Sequence, residues 1–161
     1  MKRFIACILT AALVLSLAAC GGSSTDGADA EAEDAVSVST TKGEKLADVF
    51  LKEIEKETDL EKVANKLAKK SDVDCVVMEV EQGYLNGFSD EIYGFDKGYM
   101  FSPMIGSIPM VGYVFEAEDA EVFKNTLTSM ADLDFNICTH ADEMVTKVSG
   151  NYVFFVMCSN E

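Results

Sequence analysis

Apolar residues along the chain form three unlike patterns: one continuous run near the start, stripes at helical spacing, and runs of strand length toward the end. Leu46, Val49, Phe50 and Ile54 make one stripe, and Leu60, Val63, Ala64 and Leu67 make another, so two amphipathic helices are predicted. Thr41 with Glu44, and Thr58 with Glu61, have capping-box spacing, in which two side chains satisfy the free amides of a helix start. Val73 to Val80, Met110 to Phe115 and Tyr152 to Cys158 are rich in valine, phenylalanine and tyrosine and read as strands. The last is apolar throughout, which predicts a place inside the sheet. Gly150-Asn151 has the chemistry of a two-residue hairpin turn and pairs that strand with Met144 to Val148. Between Ala117 and Asp132, the residues Val122, Phe123, Leu127 and Met130 fall on one helical face. Residues 82–109, with five glycines and two prolines, read as loops and short strands. The sum is an α+β domain of two layers, a mainly antiparallel sheet packed against two or three helices.

The continuous run has a different meaning. Lys2 and Arg3 precede fourteen residues, Phe4 to Leu17, that are apolar except for Thr10 and Ser16, and small residues follow. A membrane-spanning helix needs ~20 such residues, so the run reads as a secretory signal peptide over residues 1–19. From Gly21 to Gly43 only Val36 and Val38 are larger apolar residues. Such a stretch cannot bury enough surface to offset chain entropy, and residues 20–43 read as a flexible acidic linker. As a coil of ~22 residues it spans about 25 Å. Residues 44–161 remain as a single domain, large enough for one hydrophobic core.

Charge narrows the range of partners. Without residues 1–19 the chain keeps eleven lysines against 28 acidic residues, a net charge of −17. A polyanion is repelled by nucleic acid phosphates and anionic headgroups, which disfavours nucleic acid as a partner. The excess is uneven. Residues 44–70 balance seven acids with seven lysines, whereas residues 71–161 set sixteen acids against Lys97, Lys124 and Lys147.

Leu17-Ala18-Ala19-Cys20 resembles the lipobox of bacterial lipoproteins. That resemblance implies cleavage before Cys20, diacylglycerol on its thiol, acyl chains such as palmitate in the membrane, and a position on the extracytoplasmic face. Each buried acyl methylene contributes about 0.8 kcal/mol, so the lipid holds the chain without any spanning helix. Ser102 to Pro109, Asn136 to Glu143 and Gly150 to Phe155 are similar to segments of uncharacterised lipoproteins of anaerobic Gram-positive bacteria. That group brings no activity to any residue.

Chemistry-bearing residues are few. Cys75, Cys138 and Cys158 follow Cys20, so at most one disulfide among these three can form. Cys75 and Cys158 lie in apolar strand runs and read as small buried hydrophobes. Cys138 and His140 could form a nucleophile and base with Asp142 as the orienting acid, provided a strand places them on one side. Asp132, Asp134, Asn136 and Glu143 stand at positions one, three, five and twelve of a calcium loop, but Ile137 replaces the glycine that makes its sharp turn. Leu133, Phe135 and Ile137 also alternate as a half-buried strand would. Ser102 to Met110 is an apolar loop bounded by prolines, which reads as core filling, as a small-molecule pocket or, with Met100, as a soft-metal site. No cofactor is implied. The expectation is a membrane-anchored binding module with an unidentified ligand or envelope-protein partner. The alternatives are an envelope enzyme using Cys138 and His140, or a structural envelope protein.

Overall fold

In the computed structural model, residues 40–160 are described, and the expected signal peptide, Cys20 and nearly all of the expected linker lie outside them. The first helix is capped by Thr41, three residues ahead of the expected domain boundary at residue 44. Its hydroxyl accepts from the Glu44 amide while the Glu44 carboxylate accepts from the Thr41 amide, closing the capping box of α1, Lys42–Ile54. The second helix, α2, spans Leu60–Lys70 and differs from expectation at its cap. Asp59, not Thr58, accepts from the Glu61 and Lys62 amides, because its short carboxylate sits one residue closer to the first turn. After α2, Asp72 takes a left-handed φ of 60° and turns the chain into the sheet.

Five strands follow: β1 Cys75–Val80, β2 Lys97–Pro103, β3 Val111–Glu116, β4 Glu143–Ser149 and β5 Tyr152–Cys158. The third helix, α3, Ala120–Met130, lies between β3 and β4. All neighbours are antiparallel in the order β1-β2-β3-β5-β4, so β5 is interior, and Gly150, at φ 59°, makes the predicted hairpin with β4. The α1–α2 pair and the sheet make the two layers of an α+β domain. Leu46, Phe50, Leu60 and Leu67 pack on Tyr99, Phe101, Val114 and Phe154. The reverse face is covered as well, by α3 through Phe123 and Leu127, and by Ile92 and Phe95 of the 82–96 loop, against Tyr113, Phe115, Val153 and Phe155. Burial on both sides is why β3 and β5 are apolar without alternation. Val122, placed with the buried stripe by its spacing, is 60 % exposed.

Strand β2 was hidden in the glycine-rich stretch. Gly98 stands opposite Phe115 and Gly112 opposite Phe101, and in each pair the ring lies over the glycine, one pair on each face of the sheet. Glycine lowers strand propensity in isolation, and the cross-strand aromatic restores the packing.

Candidate functional site

One end of the sheet gathers most of the residues singled out by their chemistry. There β2 leads into β3 through residues 104–110, and α3 leads into β4 through residues 131–142. The start of α1 is at the same end, because the Gly43 amide donates to Glu143 Oε1 at 2.7 Å. The two loops touch: Asn136 Nδ2 donates to the Ile108 carbonyl at 3.3 Å. The longer loop is tied down by its backbone, with Ala141 N donating to Leu133 O and Asp142 N to Cys158 O, both at 3.0 Å.

The loop is a series of turns, not a strand. Leu133 and Phe135 pack on the core, while Ile137 is fully exposed. The premise that placed Cys138 and His140 on one strand face therefore fails, and no hydrogen bond joins them. His140 Nδ1 instead donates to Asp134 Oδ1 at 2.7 Å, on the surface. Asp142 does not orient the imidazole either, since its Oδ2 accepts from the Asn160 amide at 3.1 Å. A nucleophile, base and orienter need mutual contact, and these three lack it.

The calcium spacing is likewise not assembled. Asp132 Oδ1 accepts from the Asp134 amide, Asp134 holds His140, Asn136 reaches Ile108, and Glu143 holds Gly43. Without a glycine at Ile137 the chain does not fold back to aim these oxygens at one point. Among the described residues no three His, Cys, Asp or Glu side chains are placed to hold a metal ion. The thioethers also diverge: Met110 is buried beneath α1 and α2, Met100 packs on the α3 side, and Met104 points into solvent. The Ser102–Met110 loop is neither wholly core filling nor a soft-metal site.

All three described cysteines are free. Cys158 is buried and donates to Glu143 Oε1 at 3.3 Å. Burial, reinforced by the Glu143 carboxylate, pushes its thiol up to about 12. Burial also raises the Cys75 thiol, against a smaller opposing effect of its hydrogen bond with Ser71. Both stay protonated at neutral pH and are poor nucleophiles. Cys138 is exposed.

What this end presents to solvent includes three large apolar side chains. Met104, Ile105 and Ile137 stand out from the two joined loops. Periodicity does not identify them: residues 104–110 have none, and the alternation of Leu133, Phe135 and Ile137 places Ile137 with the two residues that pack on the core. The His140–Asp134 contact was equally hidden, because it depends on turns between the two residues. No helix among the described residues is long and apolar enough to cross a membrane. No protein-family model, curated protein or solved structure matches the chain.

Proposed function

We propose that the chain is a lipoprotein of the extracytoplasmic face, cut before Cys20 and held in the membrane by lipid on that thiol, and that its folded domain is a binding or interaction module of the cell envelope. The observation that carries the first half is Leu17-Ala18-Ala19-Cys20 at the end of a fourteen-residue apolar run and ahead of a polar linker. For the second half, support comes from the end of the sheet where the loops meet. There Cys138, His140 and Asp142 each make separate contacts or none, while three large apolar side chains face water. Exposed apolar groups on a fixed framework are a common ground for recognition.

A thermal-shift screen of the chain against envelope metabolites and metal ions tests the binding reading, since a ligand that favours the folded state raises the midpoint. The reading predicts at least one ligand or envelope extract fraction that raises it, with the shift unchanged in Cys138→Ser. A turnover activity that disappears in Cys138→Ser would replace this reading with the enzyme alternative.

A further inference from the structure

The opposite end of the domain carries a second surface. Here β1 and β3 end, β2 and α3 begin, and the Gly150 turn lies alongside, with Ala117 N donating to Asn151 O at 2.9 Å. A strand of this length separates it by ~20 Å from the end at which the chain enters. Between β1 and β2 a long loop is closed on itself: Gly83 and Ile92 exchange both backbone hydrogen bonds, at 2.9 and 2.8 Å. Phe88, Ile92 and Phe95 point inward and pack on the α3 side of the core. The Gln82 side chain holds the Phe95 carbonyl, and Ser89 N donates to Met130 O at 2.8 Å.

Against that anchored background, two aromatic residues of the same loop point outward. Tyr84 is 80 % exposed and Tyr93 is 55 % exposed. The Glu91 carboxylate accepts from the Tyr93 hydroxyl at 2.7 Å, which fixes how the ring is presented. This bond pushes the Tyr93 phenol above its ordinary range, and Tyr84 and Asp90 are close enough to add to the effect. Beside Tyr93 a shallow hollow runs to the start of α3, lined by Glu118, Asp119 and the exposed Val122. The nearest lysine on α3, Lys124, is already paired with Glu121.

We infer that Tyr84, Tyr93, Val122 and the carboxylates around them form a docking surface for a basic segment of a partner protein. Charge complementarity selects that occupant. From residue 71 onward the chain has sixteen acids and three lysines; Asp90, Glu91, Glu118 and Asp119 stand around Tyr93, while Lys97, at the same end, lies over Tyr99 on the α1–α2 side of the sheet. A lysine or arginine head can sit over a tyrosine face while a carboxylate stays within reach, and its methylene stem can lie along Val122. Tyrosines fixed on an anchored loop lose little freedom on binding, which favours them as contact residues. The inference rests on the reading of the domain as a binding module, and it adds the chemistry of the partner.

The test is binding of a short labelled oligolysine peptide to the full chain at physiological salt, where diffuse attraction to a polyanion is screened beyond about 8 Å. Both tyrosines are exposed, so Tyr84→Ala with Tyr93→Ala leaves fold and net charge unchanged, which the melting midpoint checks. Loss of two cation–ring contacts predicts binding weaker by about tenfold in the double variant. Asn65→Ala, on the exposed face of α2, is expected to bind like the parent. A double variant that binds as well as the parent, or a parent that does not bind at all, would overturn the assignment. A parent that does not bind oligolysine but is stabilised by another ligand in the thermal-shift screen would overturn this inference while the binding-module reading stands.

Discussion

The Glu143 carboxylate accepts from donors on two different elements, the Gly43 amide at the start of α1 and the Cys158 thiol at the end of β5. Its charge lies at the positive end of the α1 dipole, and the bond joins the first helix to an edge strand a hundred residues later. Beside such a carboxylate, ionising Cys158 is doubly unfavourable, and the consequence is a pH dependence with a definite sign. In the unfolded chain the thiol loses its proton near its ordinary value of 9.0, whereas in the folded protein it holds it up to about 12. Between those values the folded state binds more protons, so stability falls as pH rises. The Cys158 contribution is intact below pH 9 and is lost progressively toward about 12. Urea midpoints measured from pH 8 to 12 will therefore decline steeply in the parent, at about pH 9 and above. In Cys158→Ser the decline will be shallower, because a hydroxyl keeps the bond and does not titrate. It will not vanish, since burial also raises the Tyr113 hydroxyl and the Cys75 thiol. Equal slopes in the two proteins would show that Cys158 is not held as described.

The elements were legible wherever a pattern repeats over several residues. The stripes of α1 and α2, the unbroken apolar run of β5 and the Gly150-Asn151 turn each state their structure locally, and each is found. Strand β2 was not legible, because its fitness depends on β3. Gly98 and Gly112 leave room for Phe115 and Phe101, and a Cβ on Gly112 would come within 2.1 Å of the Phe101 ring. Gly112→Ala is accordingly expected to destabilise the domain by about 1–3 kcal/mol, read as a lower urea midpoint, although alanine is the better strand former. At α2 the capping-box spacing located the helix but named the wrong residue. Asp59→Ala should cost about 1 kcal/mol in chemical unfolding, while Thr58→Ala should cost close to nothing. A larger loss at Thr58 would restore the capping-box assignment.

At the scale of the molecule, helices on both faces of one antiparallel sheet leave two ends and two edges open. One end carries Met104, Ile105 and Ile137 next to the start of α1, and the other carries Tyr84 and Tyr93 among acids. Neither surface was legible in the sequence as a site. An exposed isoleucine in a turn and a buried one in a strand are the same letter, and only the packing of Ile92 and Phe95 shows that Tyr93 between them faces out. The catalytic and calcium spacings had the opposite fault, since their residues are present but the turns of 131–142 aim them apart. The central proposal is the lipid anchor on Cys20. The direct measurement is the mass of the N-terminal peptide of the protein extracted from membranes of a bacterium that expresses it. The account predicts a chain that begins at Cys20 and carries diacylglycerol on the thiol, and a Cys20→Ala variant without lipid that is recovered outside the membrane fraction. An unmodified Cys20, or a mature chain that begins elsewhere, would contradict it.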